Sequence, residues 1–432
     1  MIQVTDIWLD YGKLQKDNRY RITENPNPVF SWAVQSDGSN VSQEACSVSV
    51  WSEGELLWKT GWTVMKEQEI AYAGAELPRE RRIHVSVAVR DSRGEQSEPC
   101  EEYFFRSGLG ELDVTWIAAA QDKEDQALYF KKDFVCKKKV THATMYACGL
   151  GYHELYLNGE RVDTSILDPA VSDYTKHCYY AVLPEVEGFL AEQNCIGAVV
   201  GQGWRRNEAC EPRGWAPVNF FGRPQLSLAL SLTYEDDTTE VIHTDGTWLC
   251  GDGPIVYSHL FNGEVFNAGH VKKDWNLFGS AAAGVQTSKL VEGPGGIAAS
   301  MALEPIREQE TYEVRTVTPI RDGVYVVDFG QNIAGICSLK LPKGLEKGQQ
   351  IQMKFMEFLD EDGSLYMDTL RTAKSTDTYI AAGDERDLTY WKPSFTYHGF
   401  RYVQIEGLER VDPKGITAVS CYTDVATDSF FS

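Results

Sequence analysis

The feature that most limits the fold of this chain is a two-residue alternation of apolar and polar side chains, interrupted by turn-forming dipeptides. Ala143, Met145 and Ala147 share one face of an extended segment, with Thr144 and Tyr146 on the other. Successive side chains of a strand point to opposite faces, so this spacing predicts a strand. Leu155 and Leu157 continue in a second run that Asn158-Gly159 closes. Asn-Gly readily takes the positive φ angles of a tight hairpin. Ile351, Met353 and Phe355 alternate with Gln352 and Lys354 in the same way. Asp37-Gly38, Asp245-Gly246, Asn262-Gly263, Asp322-Gly323 and Asp362-Gly363 mark further turns. No long segment keeps apolar residues at helical spacing. The best short helix is Glu185–Glu192, where Val186, Phe189 and Leu190 form one stripe. Many short strands with frequent turns predict an all-β chain made of sandwiches.

At roughly 100–200 residues per domain, 432 residues suggest two to four domains. Hydrophobic residues are 43% of the chain, enough to offset the entropy of ordering and to exclude a disordered class. Three units separate. Residues 1–107 contain VFSW (Val29–Trp32), CSVSVW (Cys46–Trp51) and IHVSVAVRD (Ile83–Asp91), the content of a small immunoglobulin or fibronectin type III-like sandwich. Residues 108–304 form a longer β unit with large loops, and GSAAAGVQ and GPGGIAAS near its end read as loop or linker. Residues 305–423 form another sandwich, and 424–432 begin a linker.

The formal net charge is −22, so the surface repels phosphate backbones and anionic headgroups. Nucleic acid and membranes are therefore not expected as partners. The ten cysteines are Cys46, Cys100, Cys136, Cys148, Cys178, Cys195, Cys210, Cys250, Cys337 and Cys421, with no CxxC among them. Zinc sites need closely spaced ligand pairs, so these read as small buried hydrophobes in a reducing compartment. The start MIQVTDIWLD lacks the basic-then-apolar pattern of a secretory signal. No apolar run approaches the ~20 residues of a membrane span. The expected location is the cytoplasm.

Hydrolysis of a glycosidic bond usually uses two carboxylates flanking the bond. The chain has 63 acidic residues, so carboxylates alone single out nothing. Glu357, Asp360, Glu361 and Asp362 cluster, but LDEDGSLY reads as a hairpin turn with Asp362-Gly363 at its apex. HExxH, GxSxG and GxxxxGK[ST] are all absent. GLGYHE at Gly149–Glu154 lies among strands with no following helix, so its glycines serve packing and turns rather than a nucleotide.

Two loops could meet a sugar. Gly201–Gly222 holds Trp204, Trp215, Phe220 and Phe221 beside Arg205, Arg206, Asn207, Glu208, Glu211 and Arg213. A pyranose has an apolar face and a rim of hydroxyls, which aromatic platforms and polar groups match. A long loop pinned to its own domain by aromatics accounts for the same residues. In His259–Gly269, Asn262, Glu264 and Asn267 could meet a hydroxyl or a calcium ion. A hairpin around Asn262-Gly263 accounts for these letters equally.

Several stretches together resemble the bacterial α-L-rhamnosidases. They are GLGYHELYLNGERV (Gly149–Val162), LDPAVSDYTKHCYY (Leu167–Tyr180, with Asp168-Pro169 and Asp173-Tyr174), VVGQGWRRN (Val199–Asn207) and NGEVFNAG (Asn262–Gly269). VVDFGQNIAG (Val326–Gly335), MEFLDEDGSLYMDTLRTAKSTDTYI (Met356–Ile380) and FTYHGFRYVQIEG (Phe395–Gly407) follow in the family's order and spacing. The resemblance covers nearly the whole chain and is weakest before Ser107.

The resemblance implies a fibronectin-like sandwich followed by two jelly-roll-like β-sandwich domains. In the family an (α/α)6 barrel then carries the catalytic acids, usually with inversion. SCYTDVATDSFFS (Ser420–Ser432) resembles the junction into that barrel, so the chain is expected to stop before it, and no catalytic residue is carried over. Asp328, Gln331, Asn332, Tyr397, His398 and Arg401 are polar groups within apolar runs. Buried polar groups need partners, so they predict an internal network, an interface with the barrel, or part of a sugar pocket beside it. Some family members bind rhamnose through calcium in the second unit; here calcium is placed on no residue. The expected partners are an L-rhamnose-containing carbohydrate and the barrel of the parent enzyme. The alternatives are a stand-alone rhamnose-binding protein and a scaffold.

Overall fold

The computed structural model describes residues 2–10, 12–13, 21–121, 125–205, 222–280, 286–301 and 303–425. Among them the helical elements are 3-10 turns of three or four residues, and everything else regular is strand. The predicted helix at Glu185–Glu192 is one such turn, Val186–Phe189. Val186 is buried in the core and Phe189 and Leu190 pack against it, so the stripe is real. The segment is short of the length at which helix propagation offsets nucleation.

The first unit is a sandwich of a four-stranded and a six-stranded sheet. Strand Arg81–Asp91 shows why: Ile83, Val85, Val87 and Val89 are buried and their neighbours are not. They meet Ile7, Leu9, Phe30 and Trp32 of the opposite sheet. The Trp32 indole donates to Gln43 Oε1 at 2.8 Å, which satisfies its one polar atom inside the core.

The second unit packs a seven-stranded sheet on a six-stranded one. Ala143, Met145 and Ala147 of strand Val140–Leu150 enter the sandwich core with Phe130, Ile196, Leu228, Leu230 and Trp248. Tyr146 faces the other way, as the alternation predicts. That side is also covered, since Tyr146, Cys148 and Leu150 pack with Leu109, Tyr174 and Tyr180. Here the first unit is fastened. Glu80 accepts from the Tyr146 hydroxyl at 2.8 Å and from Ser231 at 2.7 Å, and Tyr146 accepts the Gly108 amide at 2.9 Å.

The third unit is built on a ten-stranded sheet. Its outermost two strands, Ile255–His259 and Gly263–Asn267, come from the second unit's stretch of chain. Strand Gly263–Asn267 runs parallel to Thr376–Ile380, with Val265, Phe266 and Asn267 opposite Thr378, Tyr379 and Ile380. The core beneath holds Val327, Ile351, Met353, Phe355, Tyr379, Phe400, Val403 and Ile405.

The turn dipeptides behave as their chemistry requires. Asn158 and Gly159 both have positive φ, 51° and 87°, as a two-residue hairpin turn demands. LDEDGSLY is a turn: Asp360 N donates to Ser364 O at 2.8 Å and Gly363 N to Asp360 O at 2.9 Å. Eight of the nine described cysteines are buried, and Cys210 lies outside the described residues.

Two glycines separate backbone strain from crowding. Gly263 (φ +103°) and Gly363 (φ +81°) both occupy conformations that L side chains avoid. A Cβ on Gly363 would meet nothing, whereas one on Gly263 would strike the Thr376 carbonyl. Gly363→Ala is expected to cost about 1 kcal/mol and Gly263→Ala about 3 kcal/mol, read from urea unfolding midpoints. Equal losses would mean that the hairpin is not seated against Thr376.

Candidate functional site

A connected set of buried polar groups lies where the Ile255–Asn267 hairpin enters the third unit. At the tip, His259 Nδ1 accepts the amides of Phe261 and Asn262 at 3.2 and 3.3 Å. A ring nitrogen that accepts must be unprotonated, and burial lowers the pKa of this imidazole accordingly. Asn262 donates to the Tyr257 hydroxyl at 2.9 Å and accepts the Lys374 amide at 3.1 Å. Ser375 N and Thr376 N donate to the carbonyls of Phe261 and Asn262 at 3.1 and 3.0 Å. Thr396 Oγ1 donates to Leu260 O at 2.9 Å.

Glu264 lies one residue past Gly263 and is 1% exposed. Its Oε2 accepts the amides of Ser394 and Phe395 at 3.1 and 3.2 Å. Its own amide donates to Asp377 Oδ1 at 2.9 Å. Asp377 Oδ2 lies 3.1 Å from His398 Nε2, and His398 Nδ1 lies 3.1 Å from Ser375 Oγ. Phe355 stacks on the His398 ring at 4.2 Å. Burial first, then the Asp377 charge, push the Glu264 carboxyl up to about 8.

Ser375, His398 and Asp377 stand in the order of a hydrolase triad. The surroundings rule out that chemistry. Ser375 is 5% exposed and Asp377 is fully buried, so no substrate carbonyl can approach. The Ser375 amide is committed to Phe261 O and cannot stabilise an oxyanion. The network instead ties two units together. Sequence reasoning missed Ser375 and Asp377. The signal was present: alternation places Asp377 on the same face as Tyr379, which is a core position. Among the described residues no group of three or more His, Cys, Asp or Glu is arranged to hold a metal ion.

The other sequence candidates fall in separate places. Asp328 and Arg401 form a two-point ion pair, both contacts at 2.8 Å, which holds the Asp328 carboxyl below its ordinary range. Arg401 lies on the outer side of the strand whose inner side carries His398 and Phe400. Asn332 donates to Glu357 at 2.7 Å, and Gln331 beside it is exposed. Trp204 sits in the 3-10 turn Gly203–Arg205, edge-on to Phe261 with ring centroids 5.8 Å apart. Arg205 points inward: it is 7% exposed, donates to Arg223 O, and burial lowers its pKa. Asn207, Glu208 and Trp215 lie outside the described residues.

The two acidic centres should differ sharply in weight. Asp377→Ala strips a buried acceptor from the Glu264 amide and from His398, with an expected loss of about 3 kcal/mol. Asp328→Ala breaks a pair whose arginine is 40% exposed, and the loss should be clearly smaller. Chemical denaturation of both variants checks the order; a reversed order would place the structural weight on the outer face.

Comparison with known proteins matches this architecture unit by unit. Residues 14–111 match the "Rha78A-like, N-terminal immunoglobulin domain", residues 138–310 the "Alpha-L-rhamnosidase N-terminal domain", and residues 318–422 the "Bacterial alpha-L-rhamnosidase concanavalin-like domain". An α-L-rhamnosidase of Formosa agariphila is 29% identical over 472 aligned residues, covering 98% of this chain and 49% of that protein. The solved α-L-rhamnosidase of Dictyoglumus thermophilum superposes with a TM-score of 0.84 at 30% identity, covering 98% of this chain and 49% of that one. The Streptomyces avermitilis α-L-rhamnosidase solved with L-rhamnose shares the fold at a TM-score of 0.87 and 20% identity, covering 98% of this chain and 58% of that one. The chain spans about half the length of the curated relatives that match it along most of its length. With its three β units matched in order, the chain belongs to the bacterial α-L-rhamnosidase family and comprises that family's immunoglobulin-like, N-terminal and concanavalin-like domains.

Proposed function

We propose that these domains are the non-catalytic half of an α-L-rhamnosidase, which carries and orients a separate helical catalytic barrel acting on terminal α-L-rhamnosides. The observation that carries this is the match of all three β units to rhamnosidase domains in a chain half as long as its relatives. The chemistry of the described residues supports it. The most perturbed carboxyl, Glu264, is sealed inside a joint, and Asp328 is neutralised by Arg401. Neither presents an acid–base pair to a bound sugar.

The barrel would dock on the outer side of the third unit. Phe358, Tyr366, Met367 and Tyr397 are all more than a third exposed there. Asn332, Glu357 and Gly399 adjoin them, since Asn332 bonds Glu357 and Gly399 packs beside it. Exposed apolar side chains rimmed by polar ones suit a domain interface. In this role Gln331, Asn332, Asp328 and Arg401 are interface groups and His398 supports them from beneath. The role asks for no cofactor, and calcium remains without assigned ligands. No described helix is long and apolar enough to cross a membrane. Buried cysteines such as Cys46, Cys148 and Cys337 fit the cytoplasm as the expected compartment.

A stand-alone sugar-binding protein is the less favoured reading. Asn262 bonds within the joint and Glu264 is sealed inside it, which leaves Trp204 as the described candidate aromatic for sugar contact. Its partly exposed ring at the seam suits stacking.

The purified 432-residue chain should release no aryl leaving group from an aryl α-L-rhamnoside. Measurable turnover, abolished by a substitution in this chain, would overturn the non-catalytic role. In calorimetry with L-rhamnose, any heat should fall in Trp204→Ala; a variant that binds as the parent does would remove Trp204 from the site.

A further inference from the structure

Glu264 has a feature that neither sugar contact nor simple clamping explains. Its Oε1 has no hydrogen-bond partner, although the residue is sealed from solvent. Directly across the hairpin stands Ser258, 1% exposed, whose hydroxyl also lacks a partner. Native proteins leave few such groups, and each one asks for a reason.

The groups packed around Glu264 are mostly acidic or neutral. Strand Thr376–Ile380 brings Asp377, with His398 of the adjoining His398–Glu406 strand behind it. Strand His153–Leu157 brings Glu154 and Tyr156, which are bonded to each other at 2.7 Å, and Arg161 pairs with Glu154 rather than with Glu264. Strand Leu128–Val135 brings Tyr129, whose hydroxyl is raised well above its usual range by burial and then by Glu264. Lys131 on the same strand is held by the carbonyls of Leu277 and Ser280 and by Asp133. Among the described residues, no cation pairs with Glu264. The amides of Ser394 and Phe395 favour its charged form, but burial and Asp377 oppose it more strongly.

We propose that Glu264 is a proton-operated latch: its acid form lets the hairpin seat in the third unit's sheet, and loss of the proton in alkaline solution loosens the hairpin and with it the joint between the second and third units. An ionised Glu264 would place two carboxylates side by side in a dry seam without a cation. The cheapest relief is withdrawal of the hairpin into water. Its seating combines a short parallel pairing of three residue pairs with hydrogen bonds from Lys374, Ser375, Thr376 and Thr396 and the contacts of Glu264 itself.

The direction follows from linkage. A carboxyl raised in the folded state from 4.5 to about 8 contributes stability that is fully present below the unfolded value. That contribution is lost as pH rises through the folded value. The joint is therefore tightest in acidic solution and weakens progressively as pH rises from about 4.5 to about 8.

Hydrogen exchange on the whole chain tests this, read at Ser375 and Thr376, whose amides bond the hairpin. After correction for intrinsic rates, protection in the parent should fall about tenfold or more between weakly acidic and alkaline buffer. Glu264→Gln keeps the shape without the charge and should hold its protection in both. Unchanged protection in the parent, or an equal loss in Glu264→Gln, would overturn the latch. Should the variant fail to fold, infrared titration of the parent decides. A protonated carboxyl band that persists past neutrality and then disappears supports the latch, and its absence in mildly acidic buffer overturns it.

Discussion

The arrangement of the whole molecule depends on one insertion. A hairpin from the second unit supplies the edge of the third unit's sheet, through backbone pairing along Gly263–Asn267 and hydrogen bonds from Lys374, Ser375, Thr376, Ser394, Phe395 and Thr396. A sheet edge exposes unpaired backbone groups, and covering it removes a route to aggregation. Here the cover comes from a neighbouring domain, so edge protection and domain attachment are the same event. The buried Asp377–His398–Ser375 network links the receiving strand to the His398–Glu406 strand. Each member has a hydrogen-bonded partner, as a polar network in a core requires.

Under the proposed role, these joints would let the domains hold a catalytic barrel in place. The first unit is locked to the second through Glu80 and Tyr146, and the second to the third through the hairpin. The polar groups most suggestive of catalysis are spent on these joints. The chain belongs to the rhamnosidase family, and the proposed supporting role is consistent with where its buried polar groups lie.

Much of the fold was legible in the chain. Period-two alternation identified Val140–Leu150 and its two faces, and Asn158-Gly159 and Asp362-Gly363 identified their turns, because these signals are local. The hairpin at Asn262-Gly263 was legible for the same reason. Its destination was not, since pairing with Thr376–Ile380 joins strands more than a hundred residues apart and leaves no local mark. Arg205 shows the converse limit. A charged residue between aromatics reads as a surface contact, yet its guanidinium packs under Gly222 and bonds Arg223 O. Glu264 was singled out for its oxygens, but its burial, which determines its chemistry, came from the third unit.

The central claim is that the second and third units behave as one mechanical body. Hydrogen-exchange mass spectrometry across a urea series measures this directly, with peptides from Val140–Leu150 reporting the second core and peptides from Gln350–Met356 the third. In mildly acidic buffer, both sets should lose protection at the same urea concentration. Two separated midpoints would contradict the account.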